Sequence, residues 1–246
     1  MPTQARCFQS AQPATVFAMT EQQTVLLTGA AGGLGTAVAD AFLDHGWRVV
    51  APELPGAASG LAAGCEPVAA DLTDPDSVGQ AVRVAASVPA APLRAVVNLV
   101  GGFAAGGRVH ETPIGEFEAM LALNLRPTYL VTAAALPALV AAGGGAVVCV
   151  SSRAAQRPFS GAAGYVAAKA AVLAFAGAVA VEYAKDGVRC NTVLPSVIDT
   201  PANRAAMPDA DRSGWVPPAE IARMIRFLAS AESAPTSGAA IPVHPA

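Results

Sequence analysis

The sequence predicts an α/β protein built on a doubly wound parallel sheet of about seven strands, with helices on both faces. Short apolar, β-rich runs alternate with helical patterns from about residue 24 to the end of the chain. The run at 94–100 is apolar almost throughout, as strands are when helices cover both faces. No internal repeat or interdomain linker interrupts the pattern. We therefore expect one domain over residues 21–246.

The elements can be placed in order along the chain. A first strand, a glycine loop and a helix open the domain. Asp74 is a natural N-cap, and Pro75 suits the first position of the second helix. We predict strands at 24–28, 48–51, 67–70, 94–100, 146–150, 188–194 and 239–243, and helices at 34–45, from 74 onward, and at 113–123, 127–142, 162–185 and 218–230. Ligands of such sheets bind beyond the carboxyl ends of the strands, so we expect the site there.

The composition excludes several classes of protein. The chain is 53% hydrophobic and 13% charged, with a net charge of −3 and no cluster of Lys or Arg, which argues against nucleic acid as a partner. Its four cysteines are far apart and lack zinc spacing, so we predict no metal site. Their use favours a reduced, cytoplasmic location. They are Cys7, Cys65, Cys149 and Cys190.

Two segments need a separate interpretation. The stretch between Arg126 and Arg153 carries no charge and is long enough to span a bilayer. Pro137 and the glycines at 143–145 interrupt this stretch, so we predict a buried helix followed by a buried strand and no membrane partner. Residues 1–20 contain a short apolar patch that is poorly flanked for a signal peptide, and we predict a disordered leader there.

The loop after the first strand has the pattern TGxxxGxG. Val38 stands where the third glycine of GxGxxG would fall. Glycines let the backbone turn tightly and approach a pyrophosphate, and the following helix supplies N–H donors. The alternative is a flexible Gly/Ala turn. The predicted nucleotide-binding residues of this loop are Thr28, Gly29, Gly33, Leu34 and Gly35.

Acidic residues follow the next two strands. Glu53 lies beyond the glycine loop at nearly the spacing of a carboxylate that binds the adenosine ribose. It would repel a 2′-phosphate, so NAD(H) is favoured over NADP(H); an exposed loop glutamate is the alternative. Asp71 and Leu72 are candidates for the adenine side, and Asn98 for tying adjacent strands together.

A tyrosine and a lysine stand four positions apart on a predicted helix. This spacing puts the Lys169 ammonium beside the Tyr165 phenol, and we expect the cation to lower the phenol pKa. Tyr165 could then exchange a proton with an oxygen whose carbon gains or loses hydride. Ser152, at a strand end, could steady that oxygen, and Asn124 lies earlier in the chain. A Tyr/Lys pair at this spacing usually lies on the surface and has no function. A lysine in so apolar a helix is uncommon, however, which favours a functional role for this one.

Together these residues resemble the short-chain dehydrogenase/reductase family over about 22–246, which implies a Rossmann-type fold. The resemblance implies a catalytic tetrad of Asn124, Ser152, Tyr165 and Lys169. It also implies that Tyr165 and Lys169 contact the cofactor, that the lysine holds the nicotinamide ribose and that the asparagine supports a water. Further cofactor positions implied by the family are Gly101, Pro195, Ile198 and Thr200. The family's Asn-Asn-Ala-Gly is here Asn-Leu-Val-Gly, and its Pro-Gly pair is Pro-Ser.

Three functions stay open. Segments at 100–106, 194–215 and 237–243 are similar to the dihydropteridine reductase branch, which implies a quinonoid dihydropterin substrate. Ser152 and Asn124 point instead to carbonyl or alcohol chemistry on a small molecule, and an NAD(H)-binding sensor without catalysis is the third possibility. We expect 201–217 to form a mobile lid. Candidate lining residues are Arg204, Met207 and Trp215, with Phe103 and Arg153 opposite.

The helices near 127–142 and 162–185 are apolar almost all round, which is typical of buried helices. One face of a doubly wound sheet cannot cover them entirely. We therefore predict a homo-oligomer, a dimer or a tetramer, through these two helices, as the family resemblance also implies.

Overall fold

The computed structural model describes residues 22–57 and 60–244, and the predicted leader lies outside them. In these residues seven parallel strands form one sheet in the order β3-β2-β1-β4-β5-β6-β7, which confirms the predicted fold class. The strands are β1 (Thr24–Thr28), β2 (Arg48–Glu53), β3 (Glu66–Ala69), β4 (Leu93–Asn98), β5 (Gly145–Val150), β6 (Val188–Pro195) and β7 (Ala240–Val243).

Helices cover both faces of the sheet. Those described are α1 (Gly35–Leu43), α2 (Pro75–Ala85), α3 (Ile114–Asn124), α4 (Arg126–Ala141), α5 (Ala163–Glu182), α6 (Pro201–Ala206) and α7 (Pro218–Ala229). Helices α1 and α7 bury Phe42 and Ile225 in the core on one face. Helices α2, α4 and α5 bury Val78, Val131 and Val172 in the core on the other. As predicted, the Asp74 carboxylate caps α2 by accepting a hydrogen bond from the Ser77 amide at 3.1 Å.

Two predicted boundaries are wrong for visible physical reasons. β4 ends at Asn98, not at residue 100, because the amides of Leu99 and Val100 turn to the Thr28 hydroxyl at 3.1 and 3.4 Å. α5 ends at Glu182, not at 185, because the chain then tightens into a 3₁₀ turn and leaves it at Gly187 with φ of 72°. A glycine adopts that left-handed conformation at little cost.

In the single chain the sheet does not cover α4 and α5 entirely, as the sequence analysis expects. Tyr129 on α4 is 53% exposed and Val181 on α5 is 79% exposed. The helical stretch Ile114–Ala141 and the helix Ala163–Glu182 are long and apolar enough to cross a bilayer by length and composition. Core helices of soluble α/β proteins have the same character, and both stretches pack against the sheet or each other.

Candidate active site

The predicted site residues converge on the edge of the sheet where the parallel strands have their carboxyl ends. Strand order reverses between β1 and β4, since β1 pairs with β2 on one side and β4 on the other. A crevice at such a reversal is the usual ligand position in open α/β sheets. The glycine loop follows β1, Gly101 follows β4 and Ser152 follows β5.

The glycine loop is folded too tightly for side chains. Gly29 has φ of 69°, a conformation that L side chains rarely adopt. A Cβ on Gly35 would collide with the carbonyl oxygen of Gly29, and one on Gly33 would lie 2.9 Å from the Thr200 side chain. The loop therefore contacts the segment after β6. This brings together residues that the sequence assigns to the two ends of a dinucleotide.

Thr28 and Asn98 stabilise the crevice from below. The Thr28 hydroxyl accepts hydrogen bonds from the two amides that follow β4, which ties the ends of the central strands together. The Asn98 amide nitrogen donates to Thr132 on α4 at 3.0 Å and lies 3.8 Å from the Cys149 sulfur on β5. Asn98 Oδ1 is buried without a hydrogen-bond partner. Both side chains thus hold strands and a helix in place, as Asn98 was predicted to do.

The acidic candidates lie at the ends of the outer strands. Glu53 ends β2, which pairs with β1. The Asp71 carboxylate accepts hydrogen bonds from the Thr73 amide at 2.8 Å and hydroxyl at 2.7 Å, and these bonds lower its pKa. Leu72 is buried. Both carboxylates therefore lie on the β1 side of the crevice, beyond the glycine loop.

Tyr165 on α5 and Ser152 after β5 form the centre of the site. The Ser152 hydroxyl lies near the Tyr165 phenol, and its interaction with the phenol lowers the phenol pKa. Burial of the phenol has the larger effect, so its pKa lies above the usual value of 10.0. The Ser152 hydroxyl also accepts from the Ala154 amide at 3.1 Å. The serine is thus held in place while it contacts the phenol.

Lys169 is buried beneath this pair. Its ammonium donates to the Val150 carbonyl at 3.1 Å and lies 6.0 Å from the centre of the Tyr165 ring. Burial lowers the Lys169 pKa to about 8. The expected lowering of the Tyr165 pKa by this ammonium is wrong for the chain alone, because only burial and the Ser152 hydroxyl shift it.

Asn124 completes the cluster from the end of α3. Its side chain is fully buried, and its Oδ1 accepts from the Gly102 amide at 3.1 Å while Nδ2 donates to Met120 at 3.0 Å. A Cβ on Gly101 would lie 2.5 Å from Asn124 Oδ1 and 3.1 Å from Lys169 Nζ. The backbone at Gly101 therefore runs directly against both groups, and only glycine fits there.

The segment after β6 is more ordered than the sequence predicts. Pro195 ends the strand, Ile198 bridges to Val216, and Thr200 caps α6 by accepting from the Asn203 amide at 3.2 Å. The sequence pattern predicted no helix here, but 201–206 is helical; the lid itself stays a prediction.

Ion pairing and burial leave fewer of the predicted residues in this segment available to line the substrate pocket. Arg204 is held by Asp199 at 2.6 and 2.7 Å, so its guanidinium is already occupied. Trp215 is buried and its ring lies 5.6 Å from the Arg212 guanidinium, which favours packing over pocket lining. Met207 stays 37% exposed, and Arg153 on the opposite side is exposed.

Sequence reasoning missed two contributors to the site. The buried Ser151 hydroxyl donates to the Lys169 carbonyl at 2.7 Å and so fixes α5 against β5. The Phe159 ring lies 6.2 Å from that of Phe103, which in turn contacts Tyr165 at 5.0 Å. Position gave the only signal for both, since each lies between Val150 and Tyr165. A cleft of about 630 Å³ begins at Phe159 and runs away from the tetrad.

Comparison with known proteins gives this geometry a context. The family model for short chain dehydrogenases matches residues 23–211. The chain belongs to the short-chain dehydrogenase family. It is therefore an oxidoreductase of the class that acts on alcohol or carbonyl groups.

Curated members of the family align along nearly their whole length. A 2-(R)-hydroxypropyl-CoM dehydrogenase of Xanthobacter autotrophicus is 30% identical over 89% of this chain and 96% of its own. A 2,5-dichloro-2,5-cyclohexadiene-1,4-diol dehydrogenase of Sphingobium indicum is 33% identical over 90% and 94%.

Solved structures agree with this placement. A short-chain dehydrogenase/reductase from Mycobacterium ulcerans superposes with a TM-score of 0.84 at 26% identity, over 91% of this chain and 88% of its own. The aldohexose dehydrogenase of Thermoplasma acidophilum superposes with a TM-score of 0.81 at 26% identity, over 91% and 92%. None of these relatives points to the dihydropteridine reductase branch, so that resemblance stays a prediction.

Proposed function

We propose that this short-chain dehydrogenase transfers hydride between NAD(H) and a small alcohol or carbonyl compound, with Tyr165 as the proton donor and acceptor. The observation that carries the proposal is the convergence of Ser152, Tyr165, Lys169 and Asn124 at the carboxyl edge of the sheet. The Ser152 side chain lies near the Tyr165 phenol, and Lys169 and Asn124 meet at Gly101 beside them. Two neighbouring hydroxyl groups can hold one substrate oxygen between them.

The glycine loop suits the pyrophosphate of a dinucleotide. Because Gly29, Gly33 and Gly35 have no room for a Cβ, the loop presents bare backbone at the start of α1, where N–H groups and the helix dipole favour an anion. Thr200 would contact the cofactor from the facing segment. When bound, the nicotinamide supplies or accepts the hydride.

The chain's own residues then handle the proton. In reduction, the Tyr165 hydroxyl would donate its proton to the substrate oxygen while the Ser152 hydroxyl donates a hydrogen bond to the same oxygen. The raised pKa of Tyr165 keeps the phenol protonated and ready to donate at neutral pH. In oxidation the phenol must first lose that proton, and because its pKa is raised this loss becomes easier only as pH rises.

Glu53 supports NAD(H) as the cofactor, because a carboxylate at the end of β2 would repel a 2′-phosphate. We expect wild-type protein to bind NADH at least tenfold more tightly than NADPH in titrations followed by cofactor fluorescence. Glu53→Gln should reduce this ratio of affinities, because it weakens the binding of NADH and strengthens the binding of NADPH. Tighter binding of NADPH by the wild type would contradict the cofactor assignment.

The small-molecule substrate class is supported by relatives named for hydroxyl-bearing compounds, among them a hydroxypropyl compound, a cyclic diol and, in Mycolicibacterium smegmatis, D-threitol. The deciding experiment is a panel of ketones, acyl thioesters and a quinonoid dihydropterin assayed with NADH deuterated at nicotinamide C4. We expect deuterium on the former carbonyl carbon of a ketone product, and Ser152→Ala should abolish that reaction.

The same panel separates the other two functions. Turnover of the dihydropterin alone, retained in Ser152→Ala, would instead support the reductase branch. Binding of NADH with no deuterium transfer to any compound would support a sensor. Neither alternative accounts for a serine placed beside the tyrosine.

We further propose that the protein is a cytoplasmic homo-oligomer and that the described residues form one domain. The oligomer proposal is supported by the exposed apolar residues of α4 and α5, where the exposed Tyr129 ring packs 5.6 Å from the partly buried Phe175 ring. Apolar helix faces of this kind are usually covered by another subunit.

A further inference from the structure

Two phenylalanine rings stand beside Tyr165 on loops that follow neighbouring strands. The Phe103 ring, after β4, meets the Tyr165 ring edge-on, with centres 5.0 Å apart and planes at 86°. The Phe159 ring, after β5, lies 6.2 Å from Phe103 at 41°. Although they contact each other, the two side chains are 62% and 50% exposed. Together they form an open apolar surface, here called the aromatic wall, next to the hydroxyl that handles the proton.

Backbone contacts between the two loops hold the aromatic wall in place. The Gly106 amide donates to the Gly161 carbonyl at 2.8 Å. A Cβ on Gly161 would lie 2.6 Å from the Gly106 carbonyl oxygen, and its φ of 80° also favours glycine. The loops therefore touch backbone to backbone just beyond each phenylalanine, which fixes the distance between the two rings.

The rest of both loops is small. Between residues 101 and 107 every side chain other than that of Phe103 is glycine or alanine. Between 158 and 164 the only aromatic side chain is that of Phe159. Neither stretch contains a carboxylate or a cationic side chain. Within these two stretches the two rings are therefore the only large side chains that a substrate can contact, while Arg108 and His110 line the cleft farther along, beyond Phe159.

Resting on the proposed function, we propose that the aromatic wall selects alcohols or carbonyl compounds that carry a flat apolar ring next to the reacting carbon. A ring bound there covers the exposed faces of Phe103 and Phe159 and removes their apolar surface from water. An acyclic polyhydroxylated compound would bury the same rings against hydroxyl groups that lose their water without gaining partners. Phe103 and Phe159 are thus specificity-determining residues rather than catalytic ones.

The test compares two compounds with the same vicinal diol, 1-phenyl-1,2-ethanediol and threitol. Binding to the protein saturated with NAD⁺ is followed by ligand-observed NMR, and oxidation by NADH formation. We expect the phenyl compound to bind and react at least tenfold better. Phe103→Ala and Phe159→Ala should each lower this preference about tenfold, as expected for losing one aromatic contact.

Two further variants separate selection from loss of folding. Phe103→Leu keeps apolar bulk without the ring and should fall between wild type and Phe103→Ala. Ile114→Ala removes an exposed apolar side chain, 71% accessible, from the start of α3 and should leave the preference unchanged. Thermal melting of each variant checks that the fold is retained.

The outcomes distinguish the two proposals. The proposed selectivity of the aromatic wall would be wrong if the wild type bound and oxidised both diols equally well. It would also be wrong if Phe103→Ala lowered binding and oxidation of both diols by the same factor. Neither result would contradict the proposed hydride transfer. Tight, ring-dependent binding of the phenyl compound without any NADH formation would support the wall and overturn the proposed reaction.

Discussion

Lys169 carries its charge in a buried environment, which disfavours the charged form of the side chain. Its side chain is 6% exposed, and in the chain alone it makes a hydrogen bond to the Val150 carbonyl rather than an ion pair. The depressed pKa, about 8, reflects this cost. Buried lysines without a carboxylate partner are uncommon, and a functional demand on the ammonium explains why one is retained here.

A pH-dependent stability follows from Lys169. The folded chain holds this proton with a pKa of about 8, against the ordinary lysine pKa of 10.5. Below pH 8 both states are protonated and the full cost of burying the charge, about 3 kcal/mol, is present. As pH rises from 8 to 10.5 that cost disappears, since the folded protein loses its proton first. We expect the stability of wild type relative to Lys169→Met, measured by urea unfolding, to increase across this range.

The matched control for this titration is Lys185→Met. Lys185 is exposed in the turn after α5, so its removal separates the burial of Lys169 from the loss of a lysine in general. A pH-independent difference for Lys169→Met would show that burial does not perturb this lysine.

Spacing in the sequence was sufficient to predict Ser152, Tyr165 and Lys169 as neighbours. It could not predict the direction of the Tyr165 pKa shift. Helical spacing places Lys169 near the phenol, but the balance between attraction and burial depends on how deeply α5 packs. The Phe103–Phe159 contact was also beyond the sequence, because it depends on two loops meeting at Gly106 and Gly161.

At the scale of elements, the glycine loop and the segment after β6 behave as one unit. Gly33 lies against Thr200, and Gly35 begins α1 directly against the Gly29 carbonyl. The sequence predicted each segment as a cofactor contact from its own pattern. Their mutual contact could not be read from either pattern alone. The helix at 201–206 depends on hydrogen bonds from the Asn203 amide to the Thr200 hydroxyl and from the Asn203 side chain to the Ile198 carbonyl.

A single methyl group in the glycine loop should disrupt this unit. We expect Gly35→Ala to weaken NADH binding at least tenfold and to lower stability by about 1–3 kcal/mol, because the new Cβ displaces the Gly29 carbonyl. Gly115→Ala is the matched control, since Gly115 lies in the first turn of α3 with open space around it. That variant should be neutral or slightly stabilising. Similar NADH titrations for both variants would contradict the close packing of the loop.

At the scale of the whole molecule, the sheet covers one side of α4 and α5 but leaves apolar residues exposed on the other side. The sequence predicted that these helices are apolar nearly all round, yet it could not show which residues the sheet covers. The structure leaves Tyr129 and Val181 exposed. These side chains lie on the two helices through which we expect subunits to associate.

We expect the protein to be a dimer or tetramer at micromolar concentration by light scattering after size exclusion. Tyr129→Asp should shift it toward the monomer, because a charge would be buried in an apolar contact. Val109→Asp changes an equally apolar and more exposed side chain, 77% accessible, on the loop after β4, and should leave the assembly intact. A monomeric wild type would contradict the expected interface.

The central claim is that the Tyr165 hydroxyl exchanges the proton that accompanies hydride transfer. The most direct test is a single-turnover measurement of NADH oxidation with a reducible ketone, comparing wild type with Tyr165→Phe, alongside NADH titrations of both. We predict that the variant binds NADH within about threefold of wild type while its rate falls by roughly 10² to 10⁴. A variant that oxidises NADH at the wild-type rate with the same ketone would contradict the account.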